Sequence, residues 1–245
     1  MYAIILAGGK GERLCPFTNS CPKGMLKIEG KPIHEYQLEW LKQYKITNII
    51  FACGYLSEVI KDYFGDGKKY SLNIDYSIEE EPLGRGGAIK KAWDKILTKE
   101  PIIVLNGDIY TEMELSNVIN VHKEHKENND IIATICLFPY KSPYGIVRVN
   151  GNGLVDSFEE KRTLPFWVNG GIYIFEYDVK KYLPDEGDHE TTTFPELAKK
   201  GLIYAYKSLN YWKGIDTVKD LNEFASDKKN NIPSIRKVAN VLNLG

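Results

Sequence analysis

Glycine is concentrated where the chain leaves its first apolar run: Tyr2–Leu6 is followed by Ala7-Gly8-Gly9-Lys10-Gly11-Glu12-Arg13 and then, within the same segment, by Lys23. Gly8, Gly9 and Gly11 can take positive φ and carry no Cβ, so successive backbone N–H groups can point into one concavity and approach an anion closely. Arg13 and Lys23 would add positive charge, and the chemistry on offer is the cradling of a phosphate chain. The spacing is not that of the two commoner phosphate loops. There is no GxxxxGKS or GxxxxGKT, and Leu14 stands where GxGxxG has its third glycine. The plain alternative is a glycine-rich turn with solvated basic residues. Two aspartates also close short motifs, Asp108 in Leu105-Asn106-Gly107-Asp108 and Asp216 in Gly214-Ile215-Asp216-Thr217. Taken singly, Asp108 reads as a turn residue after a strand and Asp216 as a helix N-cap.

The elements that would hold these residues follow from periodicity. Tyr2–Leu6 has the continuous apolar character of a strand buried on both faces. Helical spacing follows from Ile33 to Tyr44, then a β-type run at Asn48–Cys53. The alternation continues with a helix near Ser57–Phe64, a strand near Asn73–Ser77, a helix near Gly87–Leu97 and a strand at Ile102–Leu105. Such alternation predicts an α/β fold, a Rossmann-like doubly wound mixed sheet with helices on both faces, whose ligands sit at the carboxyl ends of the strands. After a helix around Leu115–Glu127 come β-type segments at Ile131–Phe138, Gly145–Val149, Leu154–Glu159 and Val168–Phe175, read as a β-rich lid over an acceptor site. Thr192–Lys199 and Asp216–Ala225 look helical, with a polar break at Ser226–Asn231. The organisation expected is a single catalytic domain over 1–230 and a C-terminal helical tail over 231–245.

Composition narrows the partners. The chain has 245 residues, of which 43% are hydrophobic, enough for one sizeable core. With 32 basic and 33 acidic residues the net charge is -1, which gives no electrostatic reason for a nucleic-acid or membrane-surface partner. No stretch approaches the roughly 18 apolar residues of a membrane span, and a cytoplasmic protein with small-molecule ligands is expected. The four cysteines lack CxxC spacing and read as reduced thiols. His122 and His125 fit the exposed face of a Lys- and Glu-rich helix, His34 and His189 stand alone, and none is given a catalytic role. Only five arginines occur, and three of them, Arg13, Arg85 and Arg162, lie in motif segments, as planar phosphate or carboxylate recognition would require.

Across Leu6–Lys23 the loop resembles GGxGxRLxPxTxxxPKP, the signature of the nucleoside-diphosphate-sugar pyrophosphorylases, or sugar-1-phosphate nucleotidyltransferases. Gly8, Gly9, Gly11, Arg13, Leu14, Pro16, Thr18, Pro22 and Lys23 all match. Gly24 replaces the second proline of PKP and would loosen the placement of Lys23. The other motifs follow in the family's order. Asp108 and Asp216 match the positions that hold Mg²⁺ there, and a hard, oxygen-seeking cation bridging substrate phosphates needs such a carboxylate pair. Phe158-Glu159-Glu160-Lys161 resembles FxEKP, with Arg162 for the proline. The resemblance implies Lys161 at the acceptor phosphate and Glu160 at a sugar hydroxyl. Tyr144, Gly145, Asn169 and Gly170 match further sugar-contacting positions. As a bare sequence, Glu-Glu-Lys-Arg is a solvated charge run.

Nucleotide contacts are expected from Leu6, Ala7, Gly8, Gly9 and Gly11, and from Glu79, Glu80, Pro82, Gly84 and Arg85. The segment Glu79-Glu80-Glu81-Pro82-Leu83-Gly84 takes the place of the base-reading element. A carboxylate accepts only, and so suits the adjacent N1–H and 2-amino donors of guanine. The resemblance is strongest to heptose 1-phosphate and mannose 1-phosphate guanylyltransferases. It implies a Mg²⁺-dependent transfer from GTP to a sugar 1-phosphate with release of pyrophosphate, in which Arg13, Lys23 and Asp108 are catalytic. Arg85, where the family has Thr, could reach the triphosphate, fold over the cleft or obstruct it. A non-catalytic regulatory homologue, and a uridylyl-, thymidylyl- or cytidylyltransferase of the same fold, stay open as alternatives, as does assembly with further copies of the chain. No hexapeptide-repeat extension is found, so a stand-alone catalytic domain is expected.

Overall fold

In the first strand, β1 (Tyr2–Ala7), alternate residues leave on opposite faces and both faces are covered: Ala3, Ile5 and Ala7 join one hydrophobic cluster, while Tyr2, Ile4 and Leu6 join another. The computed structural model describes residues 1–230, and the expected helical tail over 231–245 lies outside them. A small hairpin, β2 (Lys27–Ile28) and β3 (Lys31–Pro32), leads into α1 (Ile33–Gln43), β4 (Asn48–Cys53), α2 (Ser57–Phe64) and β5 (Asn73–Ile78). Then come α3 (Gly84–Trp93), β6 (Ile102–Asn106), β7 (Ile109–Thr111), α4 (Leu115–Asn129) and β8 (Ala133–Lys141). The described chain ends with β9 (Ile146–Val149), β10 (Val155–Glu159), β11 (Thr163–Phe175), α5 (Thr193–Lys199), β12 (Ile203–Lys207), β13 (Trp212–Gly214) and α6 (Val218–Lys229).

Seven strands form one mixed sheet in the order β12-β8-β11-β6-β1-β4-β5, with β11 antiparallel to both of its neighbours and the remaining pairs parallel. Residues of α1, α2 and α4 pack on one face and residues of α3 and α5 on the other. The predicted doubly wound α/β architecture is therefore the observed one. Strand order reverses between β1 and β6, and the crevice at such a reversal, outside the carboxyl ends of the strands, is where ligands enter folds of this kind. Ala7 and Asn106 end those two strands.

Several boundaries differ from expectation. α3 starts at Gly84, three residues before the predicted Gly87, and α6 starts at Val218 and runs through the predicted polar break to Lys229. The lysines and aspartate of that break lie on an amphipathic helix whose Phe224 is fully buried, so polarity there marked a solvated face and not a stop. β11 begins at Thr163, earlier than predicted, and extends beside β8 towards the β9–β10 hairpin, which forms its own two-stranded sheet. His122 is not on an exposed face. It is buried, with Nδ1 2.8 Å from Thr134 Oγ1 and Nε2 3.1 Å from Glu176 Oε1. No helix among the described residues is long and apolar enough to cross a membrane.

Candidate active site

The loop after β1 is shaped from within. Gly11 has φ 66°, and the buried Thr18 donates from Oγ1 to its carbonyl at 3.0 Å. A Cβ on Gly11 would also press on Thr18 and Lys23, at 3.0 and 3.2 Å, so only glycine fits this turn without strain. Lys23 opens a short 3-10 turn, Lys23–Met25.

Gly24, the departure beside Lys23, has a steric cause. A Cβ built on it would fall inside the His34 imidazole, and one on Gly107 would come 2.8 Å from His34 Cε1. The His34 ring thus fills the space between the segment carrying Lys23 and the segment carrying Asp108. Its tautomer follows from its neighbour. Gln37 Nε2 donates to the carbonyls of Asn106 and Ile109, at 2.8 and 2.9 Å, so Gln37 Oε1 accepts from His34 Nδ1–H at 3.0 Å. His34 Nε2 is left buried and without a partner. Burial pulls the His34 pKa down to about 4, against the raising effects of Gln37 and Asp108.

Lys23, with its side chain 14% exposed, donates to Asp108 at 2.7 Å and to Asp216 at 2.6 Å. Arg13 reaches the same Asp216 oxygen at 2.7 Å. The two aspartates meet because β7 and β13 pair antiparallel and Ile215 N–H donates to the Asp108 carbonyl at 2.8 Å. Asp216 is not the helix cap of the plain reading. Thr217 caps α6 in a capping box with Asp220, which leaves the Asp216 carboxylate to the cleft. Asp108 does lie in a turn, and its carboxylate points at Lys23 as well.

One cleft of about 1030 Å³ is lined by Leu6 through Arg13, Lys23, Glu79, Glu80, Pro82, Gly84, Arg85, Asp108 and Asp216. Every residue expected on the nucleotide side, together with Arg13, Lys23, Asp108 and Asp216, is among them. Glu79 is held at the mouth: its Oε2 accepts from Leu83 N–H at 3.1 Å, while Oε1 lies against the backbone of Gly8 and Gly54. Glu80 is exposed. Arg85 is committed elsewhere than to the loop. Its guanidinium is paired with Asp188, and Nη1 donates to Glu190 at 2.9 Å. Burial works against the charge of Arg85, but Asp188 and Glu190 together raise its pKa.

The sugar-side residues do not line this cleft. Tyr144 is exposed, and Gly145 is packed so that a Cβ would come 2.5 Å from Phe158. Glu160 is exposed. Lys161 takes positive φ, 52°, and its ammonium pairs with Glu223 on α6 at 3.0 Å. Hydrogen bonding from Lys213, ahead of that from Lys161, brings the Glu223 carboxyl down to about 2 despite its burial. Gly170 is a packing glycine whose missing side chain makes room for Phe138, and its carbonyl accepts from Trp212 Nε1 at 2.8 Å. Asn169 is bonded on both ends of its amide: Nδ2 donates to Tyr173 Oη at 2.8 Å and to Glu190 Oε1 at 2.9 Å, and Oδ1 accepts from Gly171 N–H at 2.9 Å. A register shift against β8 between Asn169 and Tyr173 sets this geometry. Asp188 and Glu190 were missed in the sequence. The one signal for them was the scarcity of arginine, which called for a carboxylate partner to Arg85.

Asp108 and Asp216 converge on one ammonium, so a small dication could be held between them. Among the described residues no group of three or more His, Cys, Asp or Glu side chains is arranged to hold a metal.

The chain belongs to the nucleotidyl transferase family, whose model matches residues 2–231. It is 32% identical over 237 residues to the UTP–glucose-1-phosphate uridylyltransferase of Synechocystis, covering 90% of this chain and 61% of that one. It is 34% identical over 228 residues to mannose-1-phosphate guanyltransferase 2 of Candida glabrata, covering 90% of this chain and 62% of that one. The chain thus spans about three fifths of the length of these relatives. Its fold matches the crystal structure of HddC from Yersinia pseudotuberculosis complexed with GMP-PN, with a TM-score of 0.73 and 28% identity, over 93% of this chain and 99% of that one.

Proposed function

We propose, on the premise that the chain is a nucleotidyl transferase, that it transfers a nucleotidyl group from GTP to a sugar 1-phosphate and releases pyrophosphate. The observation that carries this reading is the convergence of Lys23, Arg13, Asp108 and Asp216 at the reversal point between β1 and β6, facing a glycine loop. The acceptor phosphate is already anionic, so in-line attack on the α-phosphorus needs no side-chain base. Catalysis is positioning and charge neutralisation. The loop amides and Arg13 hold the leaving pyrophosphate, Lys23 meets the α-phosphate, and Lys161 swings from Glu223 to the acceptor phosphate. Mg²⁺, held by Asp108 and Asp216, would neutralise phosphate charge beside Lys23. The working compartment proposed is the cytoplasm.

Guanine is favoured by Glu79, whose Oε2 is fixed by Leu83 while Oε1 faces the Gly8 side of the cleft, where two adjacent donors can be met by one carboxylate. The names of the Candida relative and of the GMP-PN complex support the same base. Uridine is the second reading, on the name of the Synechocystis relative. A regulatory homologue loses its motive, because Gly24 is matched by His34 and Arg85 by Asp188 and Glu190. Thermal shift with GTP, UTP, dTTP and CTP, each with Mg²⁺, tests the base. GTP should raise the melting temperature most, and stabilisation by UTP alone would transfer the proposal to the uridylyl reading.

A further inference from the structure

The first turn of α3 is Gly84-Arg85-Gly86-Gly87, three glycines around one long side chain. The distant segment 184–190 lies directly on that turn: a Cβ on Gly84 would come 2.6 Å from the Gly187 carbonyl oxygen, and one on Gly87 2.4 Å from that of Asp185. Gly187, at φ 121°, is bonded in both directions. Its carbonyl accepts from Gly86 N–H at 2.9 Å, and its own N–H donates to the Leu83 carbonyl at 2.8 Å. Leu83 in turn donates its N–H to Glu79 Oε2 at 3.1 Å, the one hydrogen bond that the Glu79 carboxylate accepts among the described residues. Side chains fasten the two segments together. Arg85 reaches past Gly187, donating from Nε to Asp188 Oδ2 at 2.8 Å, from Nη2 to the same oxygen and from Nη1 to Glu190 Oε1 at 2.9 Å. Between those two carboxylates His189 is fully buried, its ring centroid 5.3 Å from that of Tyr173 and 4.9 Å from that of Phe194. Segment 184–190 is thus pinned to the core by His189 and to α3 by Arg85. Glu79, Gly84 and Arg85 line the cleft, whereas Gly187 and Asp188 stand behind its lining.

We infer that Arg85 is a positioning residue for the nucleotide base: by clamping Asp188 and Glu190 it holds segment 184–190 on the start of α3, and so fixes Leu83 N–H and the Glu79 carboxylate. The inference rests on Glu79 as base reader under the proposed function and adds what keeps that carboxylate in place. To tell a base with two adjacent donors from one that presents an acceptor, the carboxylate must stay within about 0.5 Å of its bonding position. A single backbone hydrogen bond at the mouth of an open cleft does not supply that precision. A planar guanidinium forked across two carboxylates does, because its bonds fix direction as well as distance. Three of the five Arg85 N–H hydrogens are committed to the clamp, so its influence falls on the base and not on the triphosphate.

The test is calorimetric titration of GTP and of UTP, each with Mg²⁺, into the full chain and into Asp188→Asn, Arg85→Thr and Arg85→Lys, with steady-state pyrophosphate release alongside. Asp188→Asn is the cleanest variant, since Asp188 is outside the cleft lining. It and Arg85→Thr should each weaken the preferred nucleotide about ten-fold and the other less than about two-fold, so that the preference shrinks. Arg85→Lys should fall between these and the wild type. The loss should appear in the KM of the preferred nucleotide more than in kcat. Asp188→Asn added to Arg85→Thr should cost no more than Arg85→Thr alone, because both break one clamp. Equal weakening of both nucleotides by Arg85→Thr overturns the inference and puts Arg85 on the triphosphate. Tightening of both by Asp188→Asn, which frees the guanidinium, does the same. An unchanged preference in folded Asp188→Asn overturns it as well, as does a wild type that binds the two nucleotides equally or binds neither. If Arg85→Thr fails to fold, Asp188→Asn and Arg85→Lys carry the test. A wild type that prefers UTP sinks the guanine assignment, and erosion of that preference by Asp188→Asn still supports the clamp. A wild type that selects a base but releases no pyrophosphate sinks the transfer reading, and the same erosion again supports the clamp.

Discussion

The floor of the cleft and the strands above it are built on different terms. At the floor, the glycine loop and the Asp108 turn are backed by core: Thr18, His34 and Gln37 are buried beneath them, and a methyl group added at Gly11, Gly24 or Gly107 has nowhere to go. In the β9–β10 hairpin and the adjoining part of β11, Val149, Val155, Phe158 and Phe166 are exposed, and Lys161 is tied down only by a pair with α6. Dense packing fixes atoms to within a few tenths of an ångström, which charge neutralisation of a transferring phosphate demands. Sparse packing permits movement and tolerates sequence change. Under the proposed function the chemistry would fall to the packed floor, and the contact with the acceptor phosphate to the sparsely packed strands above it.

Lys23→Ala should break the floor most severely. We expect turnover to fall by about 10²–10³-fold or more with sugar affinity nearly unchanged, read as pyrophosphate release against calorimetric binding. Normal turnover would remove Lys23 from the chemistry. The next largest effect is on stability. His34 has a pKa of about 4 in the fold against an ordinary 6.5, so below pH 6.5 the unfolded chain takes up a proton that the folded chain refuses. Its contribution is complete above that pH and is lost as pH falls towards 4, by up to about 3 kcal/mol. Burial lowers His189 to about 4 as well, so denaturant midpoints at pH 7 and pH 5 measure the two together, and His34→Gln should reduce the difference and leave the His189 share.

Gly24→Ala should cost about 1–3 kcal/mol of stability by overpacking and slow turnover by displacing Lys23. Adding His34→Ala to it should cost less than the sum of the two single changes, and simple additivity would show that the pair is not coupled. Lys161→Ala is the mildest: the KM for the sugar 1-phosphate should rise about ten-fold, near 1.4 kcal/mol, with the KM for GTP unmoved. If Lys161→Ala instead lowers turnover as far as Lys23→Ala does, the contrast between floor and lid fails.

Much of this was legible in the sequence because it was local. The apolar run into Gly8, the alternation of strands and helices, and Asp108 at a strand end each follow from a few neighbouring residues. What was hidden depends on pairings far apart in the chain. His34 faces Gly24 and Gly107, and Arg85 meets Asp188 and Glu190, and no spacing rule connects either set. β12 went unread because an edge strand with half-exposed tyrosines lacks a clear period of two. The exposed-face reading of His122 failed because it weighed the charged neighbours on α4 and not the partners, Thr134 and Glu176, that the fold brings to it.

The short β7–β13 pairing, which joins Asp216 to Asp108, also sets an order of events during synthesis. The glycine loop, Lys23 and Asp108 are all translated within the first 108 residues, but the second carboxylate arrives only with residue 216. At about 5–20 residues per second, the growing chain spends about 5–20 s with Asp108 made and the second carboxylate of the Lys23 pair still to come.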